Sequence, residues 1–305
     1  MVYTYPVSGN PLSGSAADAL AFLKSPTLIA KRMSELLSEQ SFLSHYLLKG
    51  RYTMTGGALV MLPTGMLKTS GDAERVAPGA EYTLVTVDPM AAEVTRGMKT
   101  GIASEVADES VGRLAMQPVD ETLSALAYNT VRTFDSGALS YIDSAVTNSM
   151  TASAKWTDPK ALIADLAMMK AKIKGLRKGY GSDLALVLSE EDYAKVQVPL
   201  LDLLPREANN PIVTGNWPSP LGMNIVTGDH LPTGWVPKLI DLANFGGIGH
   251  ENIPSPEYVS LGVNGGNVEV ARFREENDST RIQVRKADAP VIVNADAAIE
   301  ITGAF

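Results

Sequence analysis

The chain has 305 residues, 45% of them hydrophobic and 20% charged, with 26 Lys and Arg against 34 Asp and Glu for a formal charge of −8. This is a globular composition with room for a sizeable core, neither disordered nor membrane-spanning, and its sign is opposite to that of a dedicated DNA or RNA binder. The absence of cysteine removes disulfides, thiolate metal sites, iron–sulfur clusters and cysteine nucleophiles together, and fits folding in a reducing cytoplasm.

The opening MVYTYPVSGNPLSGS has neither a basic region nor an apolar run, so no secretory signal is expected. Residues Met1–Ser25, rich in Ser, Gly, Ala and Pro, read as a surface-draped or flexible arm. From Thr27, Leu28, Ile29, Met33, Leu36 and Leu37 recur at helical spacing and predict a short helix ending near Ser41. The stretch FLSHYLLKGRYTMTGGALVML reads as an extended crossing that leads to a strand at Ala58–Leu62.

A second strand is expected at Glu81–Val87, and the 18-residue connector PTGMLKTSGDAERVAPGA joins the two. Such a connector is too long for the interior of a compact domain. Two readings fit it: a disordered surface loop, or a two-stranded ribbon that projects from the body. A bare ribbon is marginal in water, so an ordered one has to lie against something, and a second copy of the chain is the natural support.

Ala91–Glu105 reads as a strand returning to the body. Pro118 then opens the longest helical pattern, with Val119, Leu123, Leu126, Val131, Phe134, Ala138, Ile142 and Val146 mostly three or four apart. At 1.5 Å per residue this is a rod of about 43 Å. A second amphipathic helix is expected over Pro159–Lys178, with Leu162, Leu166, Met169, Ile173 and Leu176 on one face. Lys170, Lys172, Lys174, Arg177 and Lys178 beside that face fit either a solvated surface or contact with nucleic acid.

From Asp183 to Phe245, short apolar runs between prolines predict a distinct lobe of short strands with a helix near Ser189–Val196. NVEVARFR, EENDST and RIQVRKADAPVIV form a long hairpin whose charged residues are expected on a solvent face, and AAIEITGAF ends the chain in a further strand.

No catalytic constellation emerges. His45, His230 and His250 lack metal-site spacing and read as surface or capping histidines. Gly246, Gly247 and Gly249 lack the third spaced glycine of a dinucleotide loop, Asn252 standing there, and read as a turn. Glu190, Glu191 and Asp192 suit the first turn of a helix. There is neither a phosphate-binding glycine–lysine loop nor a nucleophile elbow.

The order of elements carries a resemblance. GGALVMLPTG from Gly56, ERVAPGAEYTLVTV, the strand through Glu105, VRTFDSGALSYIDSAV, NNPIVTGNWPSPLGMNIVTGDHLP and RIQVRKADAPVIVNADAAIEITG together resemble major capsid proteins of tailed bacteriophages with the Hong Kong 97-type fold, closest in texture to actinobacterial siphophage capsids. The likeness runs from about Thr27 to Gly303 and rests on order and texture, not on one motif.

The resemblance implies an α+β fold with an N-terminal arm at 1–51 and an extended loop with flanking strands at 52–90. A peripheral domain would take 91–152 and 251–305 around the long spine helix, and an axial domain 153–250. It further implies a structural protein, not an enzyme, without cofactor or metal. Such a protein assembles in the host bacterial cytoplasm into pentamers and hexamers of an icosahedral virion capsid around double-stranded DNA. Its partners would be copies of itself, a portal and scaffold or decoration proteins, and DNA held without sequence specificity, but no membrane.

Some relatives carry a cleaved N-terminal scaffolding extension; with Met1 close to the arm, a separate scaffold protein or none is expected. Lys68 and Arg75 against Asp72 and Glu74 are the candidate intersubunit pairs. Some relatives also cross-link a loop lysine to an asparagine. Here Lys68 and Asn264, Asn267 or Asn277 do not match that motif residue by residue, and no cross-link is expected. Two other readings stay open: an encapsulin-like shell around a protein cargo, and an enzyme with an unrecognised site in the Pro-rich lobe. A tail or adhesin module would be mostly β and is disfavoured by the two long helices.

Overall fold

Ser15 and Asp18 close a capping box, each side chain accepting from the other's backbone N–H, and this seeds α1 (Ala16–Leu23). A helix thus stands within the segment expected to be an arm, and Ala19, Phe22 and Leu23 anchor it in the core. The structure, a computed structural model, describes residues 15–39, 42–61, 75–84, 93–175, 181, 183–202, 220–263 and 266–305. Next comes α2 (Pro26–Glu39), burying Ile29, Met33, Leu36 and Leu37 as the spacing predicts. The expected extended crossing is instead the short helix α3 (Leu43–Leu47), followed by β1 (Gly50–Thr53) and β2 (Ala58–Met61).

The strand at Ala58 is present, but its partner is not Glu81–Val87. Residues 81–84 pair with no strand among the described residues, 85–87 lie outside them, and β2 pairs antiparallel with β3 (Glu93–Arg96). The return strand is broken at Gly97 into β3 and β4 (Met98–Ala107). A Cβ on Gly97 would sit 2.8 Å from the Met54 methyl, so a side chain here would displace the end of Met54.

After α4 (Asp108–Leu114) the spine helix α5 (Gln117–Ala145) has Pro118 in its first turn, and every apolar residue on its expected stripe is buried. Then follow β5 (Ser149–Thr151), α6 (Pro159–Gly175), β6 (Leu184–Leu188), α7 (Glu190–Asp202), β7 (Asn224–Thr227), β8 (Lys238–Asp241) and β9 (Gly246–His250). The chain closes with β10 (Tyr258–Val263), β11 (Gly266–Arg274), β12 (Ser279–Ile292) and β13 (Ala298–Thr302).

Two sheets organise these elements. In the first, the order is β1–β9–β12–β11–β10, with β4 along the other side of β12. Ser279–Asp288 of β12 pair with β4, and Asp288–Ile292 pair with β9. The second sheet runs β5–β13–β8–β6–β7. It separates two apolar cores: Leu184, Leu186 and Leu188 of β6 join the α6 side chains, while Ala185 and Val187 face the larger core around α5. The last strand therefore completes the sheet of the lobe. Lys238, fully buried under Trp235, reaches Asp143 of α5 at 3.0 Å and Glu300 of β13 at 2.8 Å, joining spine to lobe.

Gly246, Gly247 and Gly249 form a strand and not the expected turn. A Cβ on Gly246 would lie 2.3 Å from the Val291 carbonyl oxygen, and one on Gly247 2.5 Å from the Gly50 backbone. The glycines let β1 and β12 close on either side of β9. The long hairpin of β11 and β12 is present, but part of its charge is buried. Glu269 stands opposite Arg285 in the ladder, and both are inside. Arg285 donates to Glu269 and, at 2.8 Å, to the Ile253 carbonyl, and lies over the Tyr258 ring. The pair fastens the segment between β9 and β10.

Candidate assembly surface

The ribbon of β2 and β3 is tied to the body only at its base. Gly56 and Gly57, with φ of 69° and 73°, make the turn that starts it, and the Gly57 N–H donates to the Glu251 carboxylate at 3.2 Å. Farther out, Val60 stands directly opposite Val94, and the two are 65% and 57% exposed. Tyr82 and Leu84, on the chain between the strands, are 85% and 99% exposed. Apolar side chains this bare gain little cover from the described residues, and their fuller burial calls for a further surface.

Of the residues expected to pair between subunits, Arg75 is exposed, with no ion pair among the described residues. Lys68, Asp72 and Glu74 lie outside the described residues, as does Asn264. Asn277 accepts from the Ser279 hydroxyl at 2.6 Å. On α6, Lys170 donates to the Leu221 carbonyl at 2.5 Å, Lys172 and Lys174 are exposed, and Arg177 and Lys178 lie outside the described residues.

Where the N-terminal helices meet the body, charged groups converge that the sequence does not bring together. Asp135 of α5 accepts from the Leu43 N–H at 2.9 Å, the Ser44 N–H at 3.2 Å and the Ser44 hydroxyl. Burial pushes its carboxyl up, against these bonds and the nearby His230. Lys286 Nζ contacts His45 Nε2 at 2.9 Å and Asp288 at 2.5 Å, and lies over the rings of Phe42 and Phe134. Asp288 in turn meets His250 Nδ1 at 2.9 Å. Burial lowers Lys286; burial also works to raise Asp288, but His250 and Lys286 together hold it below the usual range. The three histidines are thus not surface groups: His45 is buried, and His230 and His250 are largely so. The signal available in sequence is slight, since Lys286 and Asp288 share a strand face only because they are two apart.

A half-open cleft of about 390 Å³ lies beside this joint, walled by α3 (Phe42, Leu43, Tyr46), Glu190 and the Val226–His230 segment. Asp135 is its buried carboxylate, and both its oxygens are occupied in capping α3. That is a structural duty, not the open stance of an acid or base. Among the described residues, no group of three or more His, Asp or Glu is placed to hold a metal, and no helix is long and apolar enough to cross a membrane.

A spine helix across a long-hairpin sheet, a second lobe and a projecting ribbon with bare apolar side chains define a shell-forming structural protein. The same architecture occurs in the capsid of the cyanophage P-SCSP1u, at 14% identity and a TM-score of 0.59 over 86% of this chain and 88% of that one. It occurs in a structure from Microbacterium phage Oxtober96, at 10% identity and 0.59 over 86% and 91%, and in a virus-like particle from Pyrococcus furiosus, at 13% identity and 0.57 over 90% and 97%. No curated protein matches the sequence. A family profile for phage capsid proteins matches residues 92–301. The chain belongs to the phage capsid protein family, and its fold is the Hong Kong 97-type fold of tailed-phage major capsid proteins.

Proposed function

We propose that this capsid protein tiles an icosahedral shell as pentamers and hexamers that enclose double-stranded DNA, each copy laying its β2–β3 ribbon on a neighbour. The observation that carries the reading is the exposed Val60–Val94 pair, a cross-strand contact with little cover among the described residues. In this reading 1–51 is the arm, 52–90 the extended loop, and 91–152 with 251–305 the peripheral domain, while 153–250 form the axial domain with β13 added to its sheet. Lys68 and Arg75 pair across the interface with Asp72 and Glu74. Weak, directional contacts repeated by symmetry close such a shell. A portal and a scaffold or decoration protein complete it, and DNA is held inside without sequence readout, which an acidic subunit favours. Assembly takes place in the host bacterial cytoplasm.

A shell around a protein cargo is the second reading, favoured by the cleft beside α3. Expression of the chain followed by negative-stain imaging and nuclease-protection analysis separates the two. Angular shells with protected DNA, formed with the packaging partners present, support the capsid reading. Shells that retain one co-purifying protein and never nucleic acid support the cargo reading.

A further inference from the structure

We propose that α3 is held to the body by an acid-sensitive latch, opened when His45 takes up a proton. Paired with Asp288 at 2.5 Å, Lys286 stands as an ammonium with no lone pair, so its 2.9 Å contact requires His45 Nε2 to accept, and hence the ring to be neutral. The imidazole is stacked on Phe42 at 4.5 Å and meets Phe134 edge-on at 5.4 Å, inside the core. Protonation turns the acceptor into a donor and sets two cations 2.9 Å apart between aromatic rings. A detached imidazole takes up its proton near pH 6.5, so each unit below that favours the detached form about tenfold.

The other charged groups at this joint have their own signs. Asp135, raised by burial, is relieved by acid, and so opposes opening. His250 faces Asp288 at 2.9 Å and His230 faces Asp135 at 3.9 Å. Asp288 is held low and gives up its charge only below the ordinary carboxylate range. Burial lowers Lys286 and Arg51, and a second cation at His45 pushes Lys286 further the same way. All of these groups remain when His45 alone is replaced, so the difference between wild type and a His45 variant isolates the latch.

Because Phe42, Leu43 and Tyr46 wall the cleft, opening α3 also opens that wall. The latch does not depend on what the shell contains.

The test is hydrogen exchange of the full chain at pH 7.5 and 5.5, corrected for intrinsic rates, in wild type and His45→Gln. The Gln side chain accepts from Lys286 and does not titrate. The ratio of wild-type to variant opening constants for residues 42–48 should rise about tenfold between the two pH values, while β6 shows no such change. A constant ratio overturns the proposal. If His45→Gln does not fold, His45→Asn takes its place in the same comparison, and a ratio that stays constant between the two pH values overturns the latch.

Discussion

Asp135 caps the helix on which Ser44 is the second residue. The α3 N-cap residue is Phe42, which has no side-chain acceptor, and the distant carboxylate of α5 takes the Leu43 and Ser44 N–H groups instead. The spine helix thereby fixes the N-terminal helices. Asp135→Ala should leave those donors buried without a partner and cost about 1–3 kcal/mol per group left unsatisfied. Chemical denaturation at neutral pH measures this. Because burial raises the carboxyl, the ionised form is held at a cost that fades as pH falls through its folded-state pKa. Only the wild type gains stability in this way, so the Asp135→Asn penalty should grow toward acid.

Lys286 and Asp288 are not equivalent. Without Lys286, Asp288 still has His250, whereas without Asp288 the buried ammonium keeps only a neutral imidazole and two ring faces. Breaking a buried pair from one side costs about 3–5 kcal/mol. Asp288→Ala should lie at the upper end and Lys286→Met well below it, by denaturation midpoint. Equal losses would contradict the assignment of His250 as second partner.

Gly247→Ala should be worse than its size suggests. Its Cβ would stand 2.5 Å from the Gly50 backbone, in the parallel pairing of β1 with β9. Overpacking of this kind costs about 1–3 kcal/mol and here acts on backbone, which cannot rotate away. Loss of amide protection in Gly50–Thr53 measures the detachment of β1.

How much of this was legible in sequence depends on period and locality. The α5 stripe and the α6 stripe as far as Ile173 stood out because burial repeats at the helical period over many turns. Helix α3 did not: five residues give too few turns for a period, and its cap comes from a distant carboxylate. The glycine strand read as a turn because β propensity describes packed side chains, whereas β9 is chosen for having none. The charged joint was invisible because its members come from six separate places in the chain. The connector's length left a surface loop and a projecting ribbon both open, and the closing strand was placed too early: Tyr82 and Leu84 are strand-like in composition, yet the pairing of β2 falls at Glu93–Arg96.

Charge at the tip of the loop should matter to assembly and not to folding. Reversal of Lys68 and Arg75 to Glu is expected to lower particle yield in electron micrographs while circular dichroism and unfolding stay unchanged. Normal shells from this variant would refute the proposed pairs.

The central claim is that Val60 and Val94 find their cover on another copy. Val60→Lys with Val94→Glu, an opposite-charge cross-strand pair, should leave the subunit within about 0.5 kcal/mol of wild type, as exposed substitutions do. The direct measurement is sedimentation velocity of the wild-type chain and this variant under assembly conditions. The account predicts shell-sized particles from wild type and folded, slowly sedimenting subunits from the variant. A wild-type chain that stays monomeric under every condition, or a variant that assembles as well as wild type, would contradict it.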